Sequence, residues 1–183
     1  MPGWKILNSE VIIDTPHLRL RRDRVQTTGG TVVEGYHVRE TRGFVMVFAR
    51  TADDRVVLVR QYKHGIGEVV LELPAGMIDP GEGPEGAALR ELAEETGYSP
   101  AGELENVGTF IVDPTSSNGR FTLFLAHDAK KSQQQALDPT EEIAVELVPI
   151  DRLVALMRDG SINVATHVGA IYTILDKLGR LKP

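Results

Sequence analysis

The first 40 residues alternate between apolar and polar side chains, as short β-strands with one solvated face do. Apolar residues cluster at positions 11–13, and positions 17–21 alternate regularly. The Gly-Gly pair within residues 28–31 predicts a hairpin turn, followed by a returning strand over residues 32–39. A sheet this small cannot bury a core alone. We therefore expect residues 1–40 to be an extension that packs on the main domain or on a second subunit.

Residues 41–183 have longer apolar runs and predict the main domain. Residues 44–49 and 56–59 are almost wholly apolar, which is typical of strands buried on both faces of a sheet. Further strands are predicted at residues 107–112, 121–126 and 141–148, and helices at residues 84–96, 151–158 and 163–178. Strands and amphipathic helices in this order indicate an α/β fold.

Composition adds bounds to this picture. A length of 183 residues suits one domain with a small appendage, and 42% hydrophobic residues is ordinary for a globular protein. The net charge of −6 argues against a nucleic-acid partner, and the absence of Cys excludes disulfides and thiol chemistry. We find no apolar run of membrane length and no signal-peptide pattern, so we expect a cytoplasmic protein without a membrane partner.

The candidate chemistry lies in the predicted helix that begins at Pro84. Glu91, Glu94 and Glu95 fall within roughly a third of the helix circumference, and like charges at this spacing repel one another. A bound cation would remove that repulsion, and crowded carboxylates suit Mg²⁺ or Mn²⁺. Arg90 stands one turn before Glu94 and can form an ion pair with it. The opposite side of the helix is expected to pack on the core through Ala88, Leu89, Leu92 and Ala93.

The residues from Gly76 to Tyr98 resemble the Nudix box, GX5EX7REUXEEXGU, in which U is an aliphatic or bulky apolar residue. The box positions are filled by Gly76, Glu82, Arg90, Glu91, Leu92, Glu94, Glu95, Gly97 and Tyr98. This resemblance implies a Nudix α/β/α sandwich. It also implies metal-dependent hydrolysis of the diphosphate that links a nucleoside to another group.

The same resemblance implies roles for the box residues. Glu91 and Glu95 would be direct metal ligands, and Glu94 would be a ligand or would position water, oriented by Arg90. The carbonyl of Ala75 would also ligate metal, as in ADP-ribose pyrophosphatases. Glu82 would brace the Gly-rich loop of residues 76–83 against the helix.

Outside the box, three features resemble the ADP-ribose pyrophosphatases of this family. The string LPAG is intact at residues 73–76, and Pro114 follows Tyr98 by sixteen residues. Arg60 opens the cluster RQYK, in which Lys63 stands where the family often has Arg. Substrate contacts are therefore expected from Arg60, Lys63, Gly76 and Pro114. ADP-ribose would give AMP and ribose 5-phosphate.

Lys63 keeps two alternatives open, because a Lys loses the two-pronged grip of Arg on a phosphate. One is another nucleoside diphosphate sugar, such as GDP-mannose or ADP-glucose. The other is a Nudix module that senses nucleotides without hydrolysing them, although such modules typically lack box carboxylates and none is missing here.

The polar stretch of residues 128–140 is expected to be a mobile loop, and the three Gln at 133–135 are too few to indicate a low-complexity tract. In several ADP-ribose pyrophosphatases, a Glu on a mobile loop downstream of the box activates water. The matching residues are Glu141 and Glu142, with Glu142 preferred because it adjoins the predicted strand. We interpret His167 as structural. The resemblance also implies a homodimer formed through the N-terminal sheet.

Overall fold

The structure is a computed structural model that describes residues 2–181. The chain divides into two compact units. One consists of residues 1–43 and 110–121, and the other of residues 44–109 and 122–183. No helix in residues 2–181 is both long and apolar enough to cross a membrane.

The first unit contains an antiparallel sheet of three strands in chain order, β1 (Lys5–Asp14), β2 (Arg19–Gln26) and β3 (Val32–Glu40). The β2–β3 turn is closed by Thr27 N–H donating to the Thr31 carbonyl at 2.9 Å. Its Gly30 has a φ of 89°, in the left-handed region that Gly adopts readily. Every residue of β1 is exposed in the single chain. This sheet agrees with the predicted N-terminal extension.

Residues 110–121 belong to the same unit and are bound to β3. Arg39 N–H donates to the Ser116 carbonyl at 2.8 Å, and the Tyr36 hydroxyl donates to the Thr115 carbonyl at 2.5 Å. Asp113 begins this loop by accepting the N–H of Thr115 at 3.1 Å. Pro114 lies in the loop so formed.

The second unit is built on a seven-stranded sheet. The elements that follow β3 in the chain are β4 (Phe44–Arg50), β5 (Arg55–Lys63), β6 (Glu68–Glu72), β7 (Ala75–Met77), α1 (Pro84–Thr96), β8 (Tyr98–Ser99), β9 (Glu105–Ile111), β10 (Arg120–Ala126), β11 (Lys130–Lys131), β12 (Ile143–Pro149), α2 (Leu153–Arg158) and α3 (Ala165–Lys177). The sheet runs β12-β5-β4-β10-β9, with β6 paired to β5 and β7 paired to β4. β8 and β11 form a separate short pair.

Helices cover both faces of this sheet because β4 is apolar on both sides. Val45, Val47 and Ala49 share a buried cluster with Ala87, Ala88 and Leu92 of α1. The intervening Met46 and Phe48 are also fully buried, and strand alternation directs them to the opposite face. α3 packs against β4. The predicted α/β/α sandwich with an N-terminal antiparallel sheet is confirmed.

The structure corrects several details of the predicted elements. β6 and β7 were not predicted, since each is short and adjoins Pro74. The strand predicted at residues 141–148 begins at Ile143, so Glu141 and Glu142 precede it. Leu89 was predicted to face the core but is 40% exposed. At 3.6 residues per turn it lies at the border of the buried arc that Ala88 and Leu92 define.

Candidate active site

The acidic helix α1 has clear physical reasons to begin and end where it does. Pro84 takes the first helical position, where a missing N–H costs nothing. Gly97 ends the helix with a φ of 75° and donates its N–H to the Ala93 carbonyl at 2.8 Å. A side chain at Gly97 would also overlap the backbone carbonyl of Gln133. Both ends agree with the sequence prediction.

The three box carboxylates differ sharply in exposure, which the predicted stripe did not anticipate. The side chain of Glu94 is 42% exposed and that of Glu91 is 13% exposed. Glu95 is only 4% exposed, among the buried residues of α1. Glu95 follows Ala88 by seven residues, nearly two full turns, so the two share the inward face. The assignment of all three carboxylates to a side opposite the core was wrong for Glu95.

Arg90 uses all five N–H donors of its guanidinium group within residues 2–181. It binds both oxygens of Glu82, at 3.1 and 2.9 Å, and one oxygen each of Glu91 at 2.8 Å and Glu94 at 3.2 Å. The fifth donor reaches the Met77 carbonyl at 3.0 Å. These bonds, that to Glu82 foremost, raise the pKa of Arg90 above its ordinary value. Glu82 thus braces the Gly-rich loop against α1, as predicted.

The backbone of β7 lies directly against the two inner carboxylates. Ala75 N–H donates to Glu95 Oε2 at 3.0 Å. A side chain at Gly76 would overlap the Glu91 carboxyl group, so Gly at this box position lets that carboxyl group lie against the β7 backbone. β7 is held there by pairing with β4, with Gly76 opposite Val45.

The pKa values of Glu91 and Glu95 are both raised. For Glu95 the largest cause is burial, and repulsion from Glu91 and Glu141 adds to it. The N–H of Ala75 and the charge of Lys63 oppose this rise, and the pKa reaches about 8. For Glu91 burial again comes first, opposed by Arg90. Two adjacent, poorly solvated carboxylates therefore favour a cation between them.

The donor set fits a hard divalent cation. Glu91 and Glu95 each have one oxygen in the hydrogen bonds above, and their second oxygens accept none within residues 2–181. Carboxylate oxygens are the ligands Mg²⁺ prefers, and it takes few of them. No group of three or more His, Asp or Glu residues is arranged as a metal cage in the described part of the chain. Arg90 holds Glu94 and one oxygen of Glu91 instead.

A buried polar network beside these carboxylates was missed by the sequence analysis. Glu72 is 4% exposed and accepts a hydrogen bond from Gln61 Nε2 at 3.2 Å, and His167 Nε2 lies 3.2 Å from its other oxygen. Lys63 Nζ lies 3.3 Å from the same carboxylate. Leu73 N–H donates to His167 Nδ1 at 3.1 Å. Glu72 adjoins the LPAG string, but as a single Glu in a strand it carried no sequence signal.

His167 is neutral in this network. Burial, followed by the charge of Lys63, lowers its pKa to about 3. Its Nδ1 accepts a backbone N–H, so the proton is on Nε2, which faces Glu72. These contacts are those of a structural histidine that anchors the chain at Leu73, just before β7.

Two of the four residues expected to contact substrate lie beside Glu91 and Glu95, which we call the acidic pair. Lys63 and Gly76 adjoin the acidic pair through the contacts just described. Arg60 is paired with Glu146 across the β5–β12 strands and is largely exposed. Pro114 belongs to the unit of the N-terminal sheet.

The two candidate general bases line a surface pocket of about 290 Å³ together with Gln61, Tyr62 and Thr140. Glu141 Oε2 accepts the N–H of Asp138 at 3.0 Å. The negative charge of Glu141 raises the pKa of both Glu91 and Glu95, so it lies within electrostatic reach of the acidic pair. Glu142 is not among the causes of either shift.

The loop before these residues is fastened to the C-terminal end of α1. Carbonyls at this end and at the residue after it, those of Ala93, Glu94, Glu95 and Gly97, accept hydrogen bonds from loop residues Ser132, Gln133, Gln135 and Ala136. A helix end leaves carbonyls without partners, and this loop supplies them. The run of Gln at residues 133–135 carried no sequence signal, because three polar residues have many possible partners.

Comparison with known proteins shows which families and proteins the chain resembles. Residues 40–167 match the family model of the NUDIX domain, and residues 4–38 match that of the nucleoside diphosphate sugar hydrolase N-terminal domain. The chain is 30% identical to a methanol dehydrogenase activator of Bacillus methanolicus, over 91% of this chain and 90% of the relative. It is 32% identical to the ADP-ribose pyrophosphatase of Bacillus subtilis, over 70% of each chain.

A crystal structure of an ADP compounds hydrolase superposes with a TM-score of 0.86, at 25% identity, covering 99% of this chain and 98% of that one. Nudix hydrolases have an α/β/α sandwich in which a Gly of the box lies against the carboxylates of an acidic helix. The chain belongs to the Nudix family.

Proposed function

We propose that the protein is a divalent-metal-dependent pyrophosphatase that hydrolyses the diphosphate of ADP-ribose, giving AMP and ribose 5-phosphate, or that of a related nucleoside diphosphate sugar. The observation that carries this proposal is the pair Glu91 and Glu95. Both are withdrawn from water, have raised pKa values and lie against the backbone of Ala75 and Gly76.

Glu91, Glu95 and the Ala75 carbonyl would hold Mg²⁺ or Mn²⁺, with Glu94 as a further ligand or a water-positioning group. When bound, the metal neutralises phosphoryl charge and makes water more acidic. Arg90 acts on this site by orientation, since its five donors are engaged with Met77 and three carboxylates.

The general base in this proposal is Glu141 or Glu142, which takes a proton from the attacking water. The sequence favoured Glu142, whereas the electrostatic coupling of Glu141 to both Glu91 and Glu95 favours Glu141. Their pocket opens beside Gln61 and Tyr62, on the strand that also carries Lys63. Glu94 is the remaining candidate.

The substrate class is supported by the relatives named ADP-ribose pyrophosphatase and ADP compounds hydrolase. Gly76 would bring the backbone close to the diphosphate, and Arg60, Lys63 and Pro114 are proposed as further contacts. The N-terminal match to nucleoside diphosphate sugar hydrolases, together with Lys63 in place of Arg, keeps other nucleoside diphosphate sugars as a second candidate class.

The test is a substrate panel with Mg²⁺, compared by kcat/KM. It contains ADP-ribose, ADP-glucose, GDP-mannose, a dinucleotide and a nucleoside triphosphate, each assayed with wild type and Glu95→Gln. We expect the highest kcat/KM for ADP-ribose, or for one of the sugars, and AMP or GMP as product. A clear preference for the triphosphate, or no turnover of any compound, would reject the proposal.

We also propose a homodimer in which the N-terminal sheet forms the contact. Strand β1 is exposed along its whole length and presents the large apolar side chains of Ile6, Leu7, Val11, Ile12 and Ile13, and the preceding Trp4 is exposed as well. An exposed edge strand of this composition favours association with another copy.

A further inference from the structure

Gln135 connects the acidic helix to the strand that follows the candidate bases. Its side-chain nitrogen donates to the Glu95 carbonyl at 2.7 Å and to the Ile143 carbonyl at 3.1 Å. Glu95 is a proposed metal ligand, and Ile143 is the first residue of β12. Ile143 directly follows Glu141 and Glu142. One amide group therefore links the helix that carries the proposed metal ligands to the segment that carries the candidate bases.

Only an amide nitrogen, or a comparable double donor, fits this position. Both partners are carbonyl oxygens, which accept hydrogen bonds and cannot donate them. The amide nitrogen of Gln carries two hydrogens and satisfies both at once. Glu at this position would present oxygens to oxygens, and Met would present no donor. The length of the side chain is retained in both replacements.

We propose that Gln135 is a positioning residue that fixes the segment bearing Glu141 and Glu142 relative to the metal-binding face of α1. The inference rests on the proposed function, because it assumes that one of these two carboxylates acts on substrate held by Glu91 and Glu95. Between Ala136 and Ile143 the chain forms only a local turn, in which Glu141 N–H donates to the Asp138 carbonyl at 2.9 Å. The amide of Gln135 closes that loop onto the helix.

The expected consequence follows from the sensitivity of catalysis to position. A misplacement of about 1 Å in a catalytic group can cost on the order of 10²-fold in rate. Loss of the Gln135 hydrogen bonds frees the segment that bears Glu141 and Glu142, while Glu91 and Glu95 stay in place. The rate of the chemical step should therefore fall more than the affinity for substrate.

The two neighbouring Gln residues supply matched controls. Gln134 is exposed, and its side chain makes no hydrogen bond within residues 2–181. The side-chain amide of Gln133 donates to the Ala93 carbonyl at 3.4 Å, and so it contacts the helix end without reaching β12. Gln134→Glu and Gln134→Met repeat the chemical changes one residue away. Gln133→Met separates helix capping from the bridge to β12.

The experiment combines hydrogen–deuterium exchange with kinetics on the full chain. In metal-free protein, we expect the amides of residues 137–143 to exchange faster in Gln135→Met and Gln135→Glu, and to be unchanged in the three control variants. With Mg²⁺ and the best substrate of the panel, kcat should fall about 10- to 100-fold in the Gln135 variants. Their KM should change by less than about threefold, and the controls should match wild type.

Three results would overturn the inference. One is unchanged exchange over residues 137–143 in the Gln135 variants. Another is faster exchange in the Gln135 variants while their kcat equals that of Gln134→Met and Gln134→Glu. The third is an equal loss of kcat in Gln133→Met, which would assign the effect to helix capping. Wild type that hydrolyses no diphosphate would reject the proposed function instead, and the exchange data would still decide whether Gln135 holds the segment.

Discussion

Glu95 is an ordinary carboxylate whose surroundings make it unusual. It lies on the inward face of α1, accepts the N–H of Ala75 at 3.0 Å and is repelled by Glu91. Burial disfavours the ionised form more strongly than the charge of Lys63 and the N–H of Ala75 favour it, which is why its pKa is raised to about 8. A buried carboxylate of this kind lowers the stability of the folded protein unless a bound cation pairs with it.

Glu95→Gln keeps the size of the side chain and an oxygen for the Ala75 N–H, but removes the charge that would hold a cation. We expect kcat to fall by on the order of 10³-fold at saturating Mg²⁺, with the fold intact. Steady-state kinetics and circular dichroism measure the two effects. Glu85→Gln, on the exposed first turn of the same helix, is the control and should retain normal kcat. An unchanged rate in Glu95→Gln would remove it from the proposed metal site.

Arg90, also at the residue scale, illustrates how a motif residue can act without touching substrate. Its guanidinium group joins the loop residue Glu82 to Glu91 and Glu94 of the helix. Arg presents five donors in a fixed plane, and Lys cannot replace that pattern. The i,i+4 pair with Glu94 was visible in the sequence, whereas the bonds to Met77 and Glu82 required the folded loop.

At the scale of elements, the loop between β11 and β12 determines where the candidate bases lie. Its backbone and Gln side chains donate hydrogen bonds to the carbonyls at the C-terminal end of α1. Its last residues line the pocket beside β5. Glu141 and Glu142 therefore depend on a loop that is itself bound to the acidic helix.

Replacement of the candidate bases by Gln tests this arrangement. If Glu141 or Glu142 removes the proton from water, its Gln variant should lose kcat by about 10²-fold or more, while KM changes little. The pH–rate profile should also lose its acidic limb. We expect the larger loss in Glu141→Gln. Near-normal kcat in both single variants and in the double variant would exclude both residues and leave Glu94 as the leading candidate.

The N-terminal sheet contains a charged cluster that makes it sensitive to acid. Hydrogen bonds from Arg21 and Arg19 hold the pKa of Glu40 below its ordinary value. Burial would raise the pKa of Asp23, but hydrogen bonds from Ser9 and Arg21 outweigh it and the pKa is lowered. A carboxylate with a lowered pKa stabilises the folded state at neutral pH, and this contribution is lost as the pH falls.

We therefore expect the sheet to weaken as the pH falls below about 4, where carboxylates ordinarily become protonated. Trp4 is the only Trp in the chain, and its ring lies 6.1 Å from that of Tyr36 on this sheet, so Trp fluorescence reports on it. Glu40→Gln should show less dependence on pH than wild type. An emission spectrum constant from pH 7 to pH 3 in wild type would contradict the prediction.

At the scale of the whole molecule, the exposed apolar strand β1 is the feature that most needs a partner. Sedimentation velocity at micromolar concentration should give a dimer. Ile6→Lys and Ile12→Lys, which introduce charge on β1, should shift the protein towards monomer. Val32→Lys, at an exposed apolar position of β3 in the same sheet, controls for the added charge. A compact monomer for wild type would reject the proposed dimer.

The sequence predicted some parts of the molecule well for identifiable reasons. Pro84 and Gly97 act through their own backbones, so the bounds of α1 were readable from local chemistry. The apolar runs of β4 and β5 are long enough to predict buried strands. Leu89 was assigned wrongly because a position at the border of a helical face is decided by what packs there. Lys63 and Arg60 were visible, but their partners Glu72 and Glu146 were not.

The sequence by itself determined the Nudix box, the order of the longer strands and helices and the class of chemistry, because these depend on spacing along the chain. Only the tertiary structure decided which oxygen faces which donor. The inward position of Glu95, the neutral His167 on Glu72 and the bridge from Gln135 to Ile143 join residues from separate elements. Such contacts depend on how strands and helices pack in three dimensions, and the pattern of a single segment does not contain that information.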